Sequence, residues 1–243
     1  QLRVNGLRPT ALSLDNYFVD REHTPRDEEG HFDFEDIHAL DLELFNHHLS
    51  ELLKGREIQV PQFDFATGGR RPETDALRIT EGQIVIIEGI HGLNDELTHT
   101  VLPRYKFKIY ISALTQLVID DYNRLSTTDT RLIRRMVRDR KFRGYSADET
   151  IGRWPSVRRG EERNIFPFQE QADMVFNSAV PYELAVLKST ADPLLTDLPS
   201  ELPTYSMARR LLRLLALFRP LDPKEVPPTS ILREFIGGSS FHY

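Results

Sequence analysis

Two carboxylates stand where short apolar runs end. Asp15 closes Thr10 to Leu14, a run without charge, and Glu88 closes Ile84 to Ile87 and is followed by Gly89. Uncharged runs of this kind read as parallel-sheet strands buried on both faces, and ligands of such sheets lie beyond the carboxyl ends of the strands. A lone strand-end aspartate serves equally well as a turn cap. A second acid, with a glycine that admits close approach to the backbone, turns the pair toward a magnesium site, because that hard cation takes carboxylate oxygen and water. A third chemical feature is cationic: Arg131, Arg134, Arg135, Arg138, Arg140 and Arg143 lie close together, with Arg131, Arg135 and Arg138 on one helical face. A solvated basic face is one reading; phosphate binding is the sharper one, since guanidinium forks match phosphate oxygens and like charges otherwise repel.

The elements that must position these groups are read from periodicity. Gln1 to Gly6 reads as the last turn of a helix already under way, stopped by Gly6 with Pro9 beyond, so the chain is expected to start inside a domain. Val19 to Gly30 is charge-dense and reads as a mobile surface loop. Apolar residues from Ile37 to Leu53 recur at helical spacing, giving an amphipathic helix over Asp36 to Lys54 whose His38, His47 and His48 read as solvated. Glu57 to Phe65 and a second extended piece ending near Thr80, joined through Gly68-Gly69, form a projecting hairpin. A short helix over Asn94 to Leu102, a buried strand over Phe107 to Ile111, a long helix over Leu114 to Phe142, a new helix from Ser146 and a strand over Met174 to Asn177 follow. Gly144, between the arginine segment and the next helix, lets that segment move as a lid. Beyond Leu187, prolines from Pro193 to Pro228 flank an apolar helix over Tyr205 to Phe218 that packs on its own domain. Alternation of strand and helix favours an α/β layer.

The totals set bounds. At 243 residues the chain is long enough for one large α/β domain or two small ones. A net charge of −6 argues against a general nucleic-acid binder. With no cysteine, disulfides and thiolate zinc sites are excluded, which fits a reducing compartment. No apolar run is long enough for a bilayer and the start lacks a signal-peptide pattern, so the chain reads as cytoplasmic.

Taken in order, Ser13-Leu14-Asp15-Asn16-Tyr17-Phe18, Phe32-Asp33-Phe34, Pro61-Gln62-Phe63-Asp64-Phe65, Ile87-Glu88-Gly89-Ile90 and Arg134-Arg135-Met136-Val137-Arg138-Asp139 resemble the uridine kinase and phosphoribulokinase family, across residues 9–178. The tail is similar to that of bacterial nucleoside kinases in which this domain follows a threonyl-tRNA-synthetase-like region. The resemblance implies a mostly parallel, doubly wound P-loop-kinase-like sheet with helices on both faces and a projecting β-hairpin. It divides the chain into a nucleoside-kinase-like domain over residues 1–189 and a C-terminal helical extension over 190–243 packed on it. It also implies ATP and Mg2+ as cofactors. The family's Walker A loop closes in Gly-Lys-Ser/Thr, and no such triplet occurs in this sequence. Since that loop cradles the ATP phosphates, the chain alone is expected to be inactive, and loss of the strand leading into the loop should leave a gap in the sheet or demand a substitute strand.

By the same resemblance Asp15 is the base that accepts the proton of the 5′-hydroxyl. Glu88, with Asp15, holds magnesium. Asp33 bonds the ribose hydroxyls, Arg135 reaches the substrate, and Arg138 and Arg143 neutralise phosphate from the lid. Four positions around the base depart from the pyrimidine pattern: Phe63 for a tyrosine, Gly68 for a histidine, Tyr145 for an arginine and Arg153 for a glutamine. Polar pocket groups discriminate strongly, so these changes bear on which nucleoside is taken. The expected activity is ATP-dependent phosphorylation of a nucleoside 5′-hydroxyl. Two alternatives stand beside it, a kinase for another small hydroxyl compound and a non-catalytic nucleotide-sensing or interaction module. The expected partner is the nucleoside, with neither nucleic acid nor membrane, and homo-oligomerisation left open.

Overall fold

The computed structural model describes residues 2–3, 5–64 and 67–241, the side chains of 72 and 73 excepted. Gln1, where the opening turn was expected to begin, and Phe65, the end of one motif, lie outside the described residues. The opening turn closes as a helix C-terminus does: Leu7 N–H donates to the Leu2 carbonyl at 3.0 Å and Gly6 N–H to that of Arg3 at 3.1 Å, with Gly6 at φ +79°.

The chain forms two compact units, one of Gln1–Tyr110 with Arg159–Met174, the other of Ile111–Arg158 with Val175–Tyr243. In the first, β1 (Arg8–Ser13) pairs in parallel with β4 (Gln83–Glu88), from Arg8 opposite Gln83 to Ser13 opposite Glu88. Between them come α1 (Leu42–Leu53) and an antiparallel hairpin of β2 (Ile58–Asp64) and β3 (Gly69–Leu77). Leu12, Leu14, Tyr17, Phe45, Leu49, Leu52 and Leu97 make its core, each large side chain contributing roughly 1.5–3 kcal/mol when fully buried. The hairpin stands as expected, with an irregularity between Pro61 and Phe63 where proline has no N–H for the ladder. The helix expected from Asp36 starts later. Asp36 caps only a short 3-10 turn, Ile37–Ala39, Leu40 is extended and bridges Phe18, and Asp41 caps α1 by accepting Leu44 N–H at 2.9 Å. Likewise 94–102 holds a 3-10 turn, Asp95–Thr98, capped by Asn94, and no α-helix.

The second unit is helical. Two further strands, β5 (Ile109–Ser112) and β6 (Met174–Asn177), pair with each other. Bonds from Met174 N–H to the Lys108 carbonyl and from Ser178 N–H to that of Ser112 advance together, the parallel sense. The arginine helix α2 spans Thr127–Phe142 and not the whole of 114–142. Ahead of it Asp120 accepts from the N–H groups of Tyr122 and Asn123, closing a turn, and Ser126 then caps the helix. Ser146 and Glu149 form a capping box for α3 (Ala147–Asn164). The helix α4 (Glu183–Thr196), unforeseen because Pro193 lies inside it, runs unbroken through 189/190, the boundary expected between domain and extension. It packs with α5 (Tyr205–Ala216), α2 and α6 (Arg233–Ile236) around Leu132, Ile133, Met136, Leu184, Leu187, Leu195, Leu211 and Leu215.

The fold is α/β, with parallel strands, helices and a hairpin. Its six strands form three separate two-stranded ladders among the described residues. The strands are not buried on both faces. Val85 and Ile87 pack on the core, but Ile84 and Ile86 are 40% and 38% exposed, and Ile109, Ile111, Val175 and Phe176 are exposed too. No helix among the described residues is long and apolar enough to cross a membrane.

Candidate functional site

The strand register sets Glu88 opposite Ser13, and Asp15 follows two residues on, in a 3-10 turn (Leu14–Tyr17). That turn is anchored by its buried Leu14 and Tyr17, while Asp15, like Glu88, is exposed. Gly89 is what lets the two acids share one strand end. A Cβ there, at φ +151°, would lie 2.7 Å from Leu14 Cδ1 and 2.8 Å from its Cβ. The close approach foreseen at this glycine is therefore made by the turn that carries Asp15. Carboxylate oxygens are the donors taken by a magnesium ion that keeps most of its water. The three-ligand cluster found among the described residues is elsewhere, at Asp27, Glu29 and His31 on the surface.

Asp33 is held from both sides. Its Oδ1 accepts Glu35 N–H at 3.0 Å and its Oδ2 accepts from Arg163 Nη1 at 3.3 Å. Asn164 Nδ2 also donates to the Glu35 carbonyl, at 2.5 Å, and Gly160 leaves room for the Glu35 side chain, which a Cβ would meet at 2.8 Å. Residues 160–164 thus brace the Asp33 turn across 130 positions of sequence, a link no local pattern reveals. Beneath the turn lies His91, 2% exposed, with neither ring nitrogen in a well-formed hydrogen bond. Burial pushes its pKa down against the pull of Asp36 and Asp33.

An aromatic run connects the hairpin to this turn. Phe63 lies 5.6 Å from Phe18, Phe18 lies 6.4 Å from Phe34, and Phe34 lies 6.1 Å from Phe32, centroid to centroid. Beyond Phe32 lies an open surface depression of about 420 Å³ lined by Asp20, Arg21, Glu22, Phe32, Gly68 and Gly69. Gly68, at φ +75°, turns the hairpin, and its carbonyl accepts Arg21 N–H at 2.9 Å. The Arg21 guanidinium fills the space a side chain at 68 would need, its Nε 2.6 Å from the position of a Cβ. Arg70, next in the turn, bonds Asp41 Oδ2 at 2.8 Å while its N–H donates to Asp20 Oδ1 at 3.2 Å. The roles of Arg21, Arg70, Arg163 and His91 were not legible in the sequence. Only the charge density of the loop at 19–30 hinted at the first.

Not all of the histidines of α1 are solvated. His48 is buried and its Nδ1 meets the Tyr17 hydroxyl at 3.0 Å. Burial lowers the His48 pKa and raises that of Tyr17, so both are neutral.

In the second unit Arg135 and Arg143 both pair with the buried Asp139, at 3.2 and 3.1 Å, and Arg138 pairs with Glu234 at 3.3 Å. Arg153 stacks on Tyr145, 4.6 Å from its centroid, and Arg131 lies over Trp154 at 6.0 Å. Arg134 differs from the rest. It is buried, donates from Nε to Glu183 at 2.5 Å and from Nη2 to the Ser178 carbonyl at 2.7 Å, and so is structural.

Strand-end acids, an aromatic run and an arginine-rich helix in an α/β chain are the features that the family match sets in the context of a kinase. The sequence matches the Phosphoribulokinase / Uridine kinase family over residues 10–184, and the chain belongs to that family. It is 32% identical over 165 residues to the uridine kinase of Clostridium tetani, covering 68% of this chain and 70% of that one. With the uridine kinase of Chloroflexus aurantiacus the identity is 29% over 175 residues, covering 72% and 75%. Among solved structures, a possible uridine kinase from Bacillus stearothermophilus superposes with a TM-score of 0.44 at 17% identity, over 72% of this chain and 76% of that one, a likeness too weak to argue from.

Proposed function

We propose that this protein takes part in transfer of the γ-phosphate of ATP to the 5′-hydroxyl of a nucleoside. The observation that carries the reading is the β1–β4 register, which brings Asp15 and Glu88 to one strand end and keeps them there through the Leu14–Gly89 contact. In this reading Asp15 accepts the hydroxyl proton as the oxygen attacks. Glu88 and Asp15 hold Mg2+, which when bound neutralises charge on the phosphates. Asp33, already oriented by Arg163, takes the ribose hydroxyls, and Phe63 offers a ring face to the base. Arg135, Tyr145 and Arg153 belong to the substrate side. Arg138 and Arg143 serve the phosphates once they exchange Glu234 and Asp139 for them.

Because the sequence holds no Gly-Lys-Ser/Thr, the 243-residue chain is expected to bind a nucleoside without turning it over. Joined to the strand, loop and helix of a uridine kinase, it should form nucleoside 5′-monophosphate from ATP. In that chimera Asp15→Asn should lower kcat by about 100-fold or more, the scale of a lost general base, with the KM for ATP little changed. Near-normal turnover would remove Asp15 from the role. The missing triplet favours, as a second reading, a nucleotide-sensing module. Binding of ATP by the chain alone, with no affinity for any nucleoside, would support that reading instead.

A further inference from the structure

We propose that His91 positions Asp33 for a ribose, by lending the Asp33 turn a hydrogen bond that is incomplete in the free protein and closes when the ligand binds. The inference rests on the nucleoside reading above and deepens it. His91 is 2% exposed, and both of its ring nitrogens are buried outside any well-formed hydrogen bond. Among the described residues no other side chain has two polar atoms in that state. A neutral imidazole carries one N–H and one lone pair, and burying either without a partner costs its full desolvation. A hydrocarbon of the same size would avoid that cost. An imidazole kept in such a place calls for a partner that the free protein does not yet supply.

The surroundings name that partner. The backbone of His91 is fixed in the turn that follows Glu88: Gly92 N–H donates to the Gly89 carbonyl at 3.1 Å, and Asn94 N–H to that of His91 at 3.0 Å. The ring lies against the Asp36 main chain, and the charges of Asp36 and Asp33 act on it together. Burial nevertheless holds it neutral, so it can support these residues by hydrogen bonding and not by charge. Asp33 and Asp36 belong to one turn, closed only by a long bond from Asp36 N–H to the Asp33 carbonyl, 3.4 Å. The Asp33 carboxylate has lone pairs beyond those taken by Glu35 N–H and Arg163. Ribose hydroxyls donating to the remaining ones draw the turn into its final place, and the His91 ring then meets the Asp36 main chain at bonding distance. Hydrogen bonds of reaction sites are often long before the ligand arrives and tighten with it. His91 thus adds to the binding of the ribose and not of the base, while touching neither.

The test is calorimetric titration of the 243-residue chain with uridine, cytidine, adenosine and guanosine, each beside its 2′,3′-dideoxy form. Whichever nucleoside binds best should do so about 10-fold or more tighter than its dideoxy form, the worth of hydrogen bonds to a charged group. His91→Leu and His91→Phe, which fill the site without a nitrogen, should bring that ratio to within about 3-fold and leave the affinity for the dideoxy form unchanged. His91→Asn or His91→Gln, which return a donor near one ring nitrogen or the other, should restore the ratio in part. A folded His91→Leu or His91→Phe that keeps the full ratio overturns the role of His91. Equal loss for both ligands, or failure of both variants to fold, marks a merely structural residue and overturns it as well. No preference for the ribonucleoside in the unaltered chain overturns the Asp33 contact and this inference with it, while leaving the nucleoside reading intact. Absence of binding to every nucleoside overturns both.

Discussion

The two units carry opposite charges in opposite ways. The first displays its acids: Asp15 and Glu88 stand exposed at a strand end, fixed through the backbone and the apolar packing of Leu14. The second pairs its cations with carboxylates: Asp139 holds Arg135 and Arg143, Glu234 holds Arg138 and Glu183 holds Arg134. A short carboxylate can be placed by the strand that bears it. A long guanidinium side chain loses up to about 2 kcal/mol of rotamer freedom when fixed, and in this protein carboxylate partners fix it. The acids owe their position to the backbone that bears them, whereas the arginines proposed for phosphate must first exchange one anion for another.

The largest effect should come from breaking the most deeply buried of these pairs. Arg134→Ala leaves Glu183 buried without its cation, and burial already pushes that carboxyl's pKa up against the pull of Arg134. Loss of about 3–5 kcal/mol in denaturant unfolding is expected; a loss below 1 kcal/mol would show the pair to be superficial. On the other side of the comparison, Gly89→Ala drives a Cβ into Leu14 at 2.7–3.0 Å from a backbone at φ +151°. It should cost about 1–3 kcal/mol as an overpacked contact and weaken nucleoside binding with it. Unchanged stability would mean that the Leu14 turn is not held by this contact.

What was legible in the sequence divides along the same line. The acids, the hairpin, the Gly6 stop and the Met174–Asn177 strand could be read because turn glycines, strand-end position and apolar runs are local signals. Burial on both faces was misread, because an apolar run records what a strand is able to bury and not what covers it, and Ile84 and Ile86 remain exposed. Helix starts were misplaced where two capping residues compete, as Asp36 and Asp41 do. The partners of Asp33 and Arg138, which are Arg163 and Glu234, lie 130 and 96 positions away and leave no periodic trace.

Arg138→Ala tests whether the outward arginines matter to the fold at all. Its pair with Glu234 is about a third exposed on the arginine side, so the stability change should stay within about 0.2–1 kcal/mol. A loss near that of Arg134→Ala would end the distinction between a structural and an exchangeable arginine on α2.

The smallest effect, nil at neutral pH, is a difference in acid response between the units. All histidines of the described residues belong to the first unit, and burial holds both His48 and His91 below the ordinary value of 6.5. Above 6.5 each is neutral, folded or unfolded, and contributes nothing. As pH falls through 6.5 the unfolded chain takes up protons that the folded one refuses, so the first unit loses stability down to the depressed folded values. Glu183 acts the other way. Its folded pKa is raised above the ordinary 4.5, so the cost of burying it charged is relieved as pH falls through the folded value, and the second unit does not share the loss. Residue-resolved hydrogen exchange at pH 7.0 and at about 5.5, corrected for intrinsic rates, should show protection falling around Tyr17, Phe45 and Leu97 while that around Leu132, Leu187 and Leu211 holds. Equal loss in both sets would place the acid sensitivity outside His48 and His91.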